Sequence, residues 1–212
     1  MEIGVLVLCA VQGYLLGSIN FGVVVSKLLY HEDIRTKGSG NAGTTNILRT
    51  YGKKAAILTL AGDIGKGVAA VLVAQLLMGW VSHSLTLAVS AGYVASIASV
   101  CGHLWPVWFG FKGGKGVAVA AGAILAAQPI VLLGLAIIFF TFAFSTKIVS
   151  LSSIIGAVAY PILTCLWSFY KGYDVLLTTS CATVMCLLVI WMHRANIQRL
   201  LKGTEYKFGQ KK

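Results

Sequence analysis

An all-α, polytopic membrane fold is predicted by three observations. Of the 212 residues, 58% are hydrophobic and only 11% are charged. The mean hydropathy is +0.85, whereas a water-soluble domain needs far more polar cover. The apolar residues fall in long runs, at 1–29, 55–80, 84–101, 117–144, 149–169 and 175–192. Runs of about twenty apolar residues match helical crossings, while a membrane barrel would show short alternating segments.

The first run, MEIGVLVLCAVQGYLLGSINFGVVVSKLL, lacks a basic leader and exceeds the core of a signal peptide. It reads as a retained first span. Its Gly13 and Gly17, four apart, would let a second helix approach closely. The five cysteines, Cys9, Cys101, Cys165, Cys181 and Cys186, lie in or beside apolar runs. Their odd number and the lack of metal-binding spacing make them packing residues. Neither a metal nor a cofactor is expected.

Charge sets the threading. Residues 27–54 hold six Lys/Arg, residues 103–116 hold two, Lys147 adds one and the tail after His193 holds six. The connections at 82–84 and 171–174 hold one between them. Placing all four basic stretches in the cytoplasm satisfies the positive-inside rule. Parity then requires the 117–144 run to enter and return, as a hairpin turning at Gln128-Pro129, where proline is a natural helix start. The expected fold is a single membrane-embedded domain over residues 1–212, with seven transmembrane helices, an outside N-terminus and a cytoplasmic C-terminus. Each hairpin arm would have only about fourteen residues against about twenty for a full crossing. The alternative is six helices with an exterior tail.

The unusual connections then converge on the cytoplasmic face. Loop one reads GSGNAGTTNILRTYGKK. Gly38, Gly40 and Gly43 permit positive φ, so that successive N–H groups can turn toward an anion. Ser39, Asn41, Thr44, Thr45 and Asn46 add neutral donors, and Arg49 adds a planar fork for phosphate or carboxylate. The run NILRTYGKKAA resembles a helix start, whose dipole favours negative charge. A flexible glycine-rich loop with its cations at lipid headgroups is the competing reading. The GxGxxG spelling follows an apolar run read as a membrane helix rather than a strand, so it is not a dinucleotide fingerprint, and no Walker ending follows.

Loop two, GHLWPVWFGFKGGKG, repeats the theme. Lys115 is the better phosphate contact, because Gly113, Gly114 and Gly116 free the backbone around it, whereas Lys112 can snorkel to headgroups. His103 is a base, a ligand or a structural side chain. Asp63 and Lys66, three apart in an apolar run, either line the site or satisfy each other. His193 and Asn196 share a face at the inner end of the last span. Ser150 and Ser153 share one on the penultimate span, where capping is the ordinary role.

The motifs GSGNAGTTNILR, YGKKAA, GDIGKG, GHLWPVWFGFKGGKGVA, VSLSSI and HRANIQRLLKGTE occur in an order that spans nearly the whole chain. In them the chain resembles the bacterial acyl-phosphate-dependent glycerol-3-phosphate acyltransferases. The resemblance implies seven helices, a cytoplasm-facing site in the bacterial inner membrane, and transfer of a fatty acyl group from acyl phosphate to the 1-hydroxyl of glycerol 3-phosphate. It maps Ser39, Arg49, Lys115, Ser153, His193 and Asn196 onto substrate contacts, and the glycine loop with Thr45 and Asn46 onto an acyl-phosphate pocket. Glu205 maps onto a structural glutamate. Ala42-Gly43-Thr44 departs slightly from relatives, which often have proline at the first of these positions or alanine at the third. The expected partners are the two substrates and the bilayer, with no nucleic acid; the oligomeric state is open, and a monomer is compatible. An organic-anion transporter and a non-catalytic, lipid-binding subunit are the rival readings of the same basic loops.

Overall fold

The computed structural model describes residues 1–208. Lys211 and Lys212, counted above in the basic tail, lie outside the described residues. Every regular element among those described is helical: α1 (Glu2–Gly17), α2 (Phe21–Tyr30), α3 (Thr44–Tyr51), α4 (Lys53–Ser82), α5 (Leu85–Leu104), α6 (Val117–Ala127), α7 (Pro129–Thr146), α8 (Val149–Lys171), α9 (Val175–Met192) and α10 (Arg194–Leu201), with 3-10 turns at Ile34–Thr36 and Val107–Phe109. Six segments are long and apolar enough to cross a membrane: Glu2–Tyr30, Lys53–Ser82, Leu85–Phe109, Pro129–Thr146, Val149–Lys171 and Val175–Met192. The helix α6 is apolar but shorter.

Two expectations about element boundaries change. The first apolar run is not one helix but two. It breaks at residues 18–20, where Asn20 turns extended and its side chain accepts a hydrogen bond from the Val23 amide to start α2. The 117–144 run does break at Gln128, with Pro129 in the first turn of α7. Its two helices, however, have 11 and 18 residues rather than equal arms. The second runs on to Thr146, where Lys147 takes a left-handed conformation and closes it.

The chain forms two compact units, Met1–Ala127 and Gln128–Lys212. In the first, α1, α4 and α5 pack on one another and α6 lies on α4 and α5. Small residues set these approaches. A Cβ at Gly17 would fall on the Ser99 backbone of α5, and one at Gly67 on the Val119 backbone of α6, so both contacts are at backbone distance as in other small-residue membrane interfaces. In the second unit α7 packs on α8 and α8 on α9. The face of α7 bearing Ile130, Leu133, Ile137, Phe140 and Phe144 is exposed. Such a stripe is costly in water and fitting against lipid.

Candidate active site

Loop one is pinned at its base and organised from within. The rings of Tyr30 and Tyr51, on either side of it, stack with centroids 4.1 Å apart, and Tyr51 donates to Glu32 at 2.9 Å. Glu32 also pairs with Lys37 at 2.9 Å. Inside the loop the organiser is Asn46, which is buried. Its Oδ1 accepts from the Ser39 amide at 2.9 Å, while its Nδ2 donates to the carbonyls of Lys37 and Asn41, each at 3.0 Å. The Asn46 amide is thus spent on backbone, and its part in the site is to shape the loop.

Gly38 and Gly40 have φ of 57° and 71°, the left-handed conformations expected of them. Gly43 does not: its φ is −100° and it serves as the N-cap of α3. With no side chain to cap the helix, it leaves the amides of Thr44 and Thr45 for another partner, while its carbonyl takes those of Asn46 and Ile47. The helix begins at Thr44, two residues before the expected start, because Asn41 Oδ1 accepts from the Gly43 amide at 3.0 Å and turns the chain there. It stops at Gly52, whose φ is 85°. Ser39 and Arg49 are exposed, and Thr45 is half-buried. Thr44 Oγ1 is buried with no hydrogen-bond partner in the structure.

Loop two leaves α5, passes Pro106 and the 3-10 turn, and returns onto the end of α5. The amides of Gly113 and Gly114 donate to the carbonyls of Leu104 and His103, both at 3.1 Å. A Cβ at Gly113 would strike the His103 carbonyl, and one at Gly114 the His103 ring. Both glycines are therefore demanded by contact. Lys115, half-buried, follows them directly, and Gly116 (φ 84°) leads into α6.

Beneath this turn lies a buried charged triad. Lys66 Nζ donates to the Ile19 carbonyl at 2.7 Å, lies 2.7 Å from Asp63 Oδ1 and stands 2.9 Å from His103 Nδ1. An ammonium has three N–H donors and no acceptor, so three acceptors saturate it. His103 Nδ1 must therefore accept, which places the proton of a neutral ring on Nε2, the nitrogen lying against Gly114. Asp63 and Lys66 do share a face and form an ion pair. Their burial with His103 makes them a support for loop two.

In the second unit the anchor is Glu205. Its Oε1 accepts from Ser150 Oγ at 2.8 Å and from Asn196 Nδ2 at 2.7 Å, and its Oε2 accepts from Arg199 Nε at 2.7 Å. Burial pushes its carboxyl up, but the hydrogen bonds from Asn196, Ser150 and Arg199 outweigh this and hold it below the usual range. The carboxylate thus fixes the start of α8 against α10. Ser153 Oγ donates to the Val149 carbonyl at 2.9 Å. His193, buried where α9 meets α10, donates from Nδ1 to the Val189 carbonyl at 2.8 Å, which fixes the orientation of its ring.

Residues 7–203 match the model of the glycerol-3-phosphate acyltransferase family. The chain belongs to that family. It is 45% identical over 212 residues to a Clostridioides difficile protein named glycerol-3-phosphate acyltransferase, with all of both chains covered. It is also 45% identical over 200 residues to a protein of that name from Neisseria meningitidis, covering 94% of this chain and 95% of the other. Two crystal structures of PlsY (YgiH), described as an integral membrane glycerol 3-phosphate acyltransferase, superpose with a TM-score of 0.81. The glycerol 3-phosphate form is 40% identical, covering 96% of both chains, and the lysophosphatidic acid form is 38% identical, covering 96% and 95%. An all-helical, multi-pass membrane acyltransferase thus agrees with the six candidate spans.

Two residues that tie the polar connections of the first unit together were not singled out from sequence. Asp33 and Arg35 link the two loops of the first unit. The available signal was an acid two residues before an arginine in a polar connection.

Proposed function

We propose that the protein transfers a fatty acyl group from an acyl phosphate to the 1-hydroxyl of glycerol 3-phosphate, releasing inorganic phosphate and lysophosphatidic acid. This first acylation of phospholipid synthesis takes place at the cytoplasmic face of the bacterial inner membrane. Membership of the glycerol-3-phosphate acyltransferase family supports acylation of glycerol 3-phosphate. The observation that carries the donor is the cradle at the start of α3, an end after Gly43 that no side chain caps, with Arg49 one turn further along; the amides of Ser39, Gly40 and Gly43 are already taken within the loop. Such a cradle suits a phosphate monoester or anhydride. Seven crossings with an outside N-terminus belong to this reading, with α6 as the short one.

In the transfer, the 1-hydroxyl oxygen attacks the acyl carbon, the bond from that carbon to the phosphate oxygen breaks, and phosphate leaves with the bonding pair. Phosphate is a good leaving group, so the protein supplies position and charge rather than a covalent nucleophile. Arg49 and Lys115 neutralise phosphate, and Ser39 with Gly38, Gly40, Asn41, Gly43 and Thr45 lines the donor pocket. In the second unit Ser150, Ser153, His193 and Asn196 are assigned to substrate. The hydroxyl proton goes to the departing phosphate, whose second pKa is near neutrality and whose oxygens lie beside the attacked carbon. His103 and His193, both buried and each with Nδ1 engaged, are the alternative protein bases.

The test is purified protein with a synthetic acyl phosphate and glycerol 3-phosphate, following phosphate release. Release that depends on both substrates supports the reading. Flux of glycerol 3-phosphate into liposomes without phosphate release would make the protein a transporter instead.

A further inference from the structure

One arginine just ahead of loop one lies outside the substrate assignments. Arg35 sits in the turn Ile34–Thr36, between α2 and the glycine run. Its Nε and Nη2 are held by the Asp33 carboxylate at 3.0 and 2.7 Å. Asp33 Oδ1 also accepts from the Arg35 amide at 3.0 Å, capping the turn. The other edge of the guanidinium reaches loop two. There Nη1 donates to the carbonyls of Phe109 at 2.6 Å and Lys112 at 3.0 Å.

Those two carbonyls bracket Gly110 and Phe111, whose φ values are 65° and 58°. Two successive left-handed residues make a tight reversal, and a phenylalanine in that region is unfavourable unless its surroundings hold it. The reversal aims the chain into Gly113, Gly114 and Lys115. Hydrogen bonding to Arg35 holds the Asp33 carboxyl below its usual range against the upward push of burial. A guanidinium matched by its own carboxylate is a weak anion site and a rigid two-sided connector.

We infer that Arg35, set by Asp33, is a positioning residue that fastens the glycine loop to the lysine loop and acts on the reaction through Lys115. This rests on the assignment of Lys115 to substrate phosphate. The fork geometry is essential: a lysine is a point donor that cannot hold the carboxylate edge-on while reaching both carbonyls.

The test is a cycle of Arg35→Ala, Arg35→Lys, Lys115→Ala and the Arg35→Ala/Lys115→Ala double variant in the full-length protein. It is read as kcat and KM for both substrates, with thermal unfolding as the folding check. Arg35→Ala is expected to lower kcat/KM by about tenfold or more. Arg35→Lys should recover little, and added guanidinium should restore part of the Arg35→Ala loss. In the Lys115→Ala background, Arg35→Ala should cost almost nothing further, because both act through one loop. Full activity in Arg35→Ala, or losses that simply add, overturns the inference. If Lys115→Ala is itself fully active, the substrate assignment of Lys115 falls separately. The connector is then decided by spin labels at positions 36 and 111: a broadened distance distribution in Arg35→Ala supports it, and an unchanged one overturns it.

Discussion

Lys66 Nζ stands 2.7 Å from Asp63 Oδ1 and 2.9 Å from His103 Nδ1, and all three side chains are buried within the first unit. Removing one partner leaves an uncompensated charge away from water. Lys66→Met is therefore expected to cost about 3–5 kcal/mol of stability. The double variant Asp63→Leu/Lys66→Met should cost less than the two single changes summed. Thermal unfolding in detergent checks both. A Lys66→Met protein as stable as the parent would show that the pair is not what holds this region.

Arg49 and Lys112 are both exposed cations on polar connections, but they are not equivalent. Arg49 follows the anion cradle on α3, whereas Lys112 contributes its carbonyl, not its side chain, to Arg35. Arg49→Ala is expected to raise KM for glycerol 3-phosphate at least tenfold or to abolish activity, a loss of about 1.4 kcal/mol or more in transition-state binding. Lys112→Ala should change kcat/KM less than about threefold. Equal effects in steady-state assays would remove the distinction.

Asn46 uses both polar atoms on the loop backbone. Replacing it with Asp would put an oxygen against the carbonyls of Lys37 and Asn41, acceptor facing acceptor. Asn46→Asp is expected to be at least as damaging as Asn46→Ala, each losing about 1–3 kcal/mol. Parallel unfolding and turnover measurements test this, and an active, stable Asn46→Asp protein would contradict the loop's construction.

Glu205 has a depressed carboxyl pKa in the folded protein. A group of this kind stabilises the fold above its unfolded pKa, about 4.3 for Glu. That contribution disappears as pH falls through the lower folded value. Glu205→Gln should therefore lower the melting temperature at neutral pH and flatten its fall below about pH 4.3. Melting curves across pH 3–7 that stay parallel for the two proteins would refute the role given to this carboxylate.

The sequence by itself determined what depends on local composition. Apolar run length placed the candidate spans, because a helix must match the hydrocarbon thickness. Gln128-Pro129 placed a helix restart, Gly38 and Gly40 foretold left-handed turns, and Gly13 and Gly17 foretold a close helix contact. The i,i+3 spacing foretold the Asp63–Lys66 pair. What only the tertiary structure decided are partnerships between distant segments. His103 lies 37 positions from Lys66, Arg35 reaches carbonyls 74 and 77 positions away, and Glu205 takes Ser150 from 55 positions upstream. The break at 18–20 belongs with these, since the Ile19 carbonyl it frees is taken by Lys66 from α4. A buried donor or acceptor must find a partner wherever the fold brings one, and periodicity along the chain does not encode that choice.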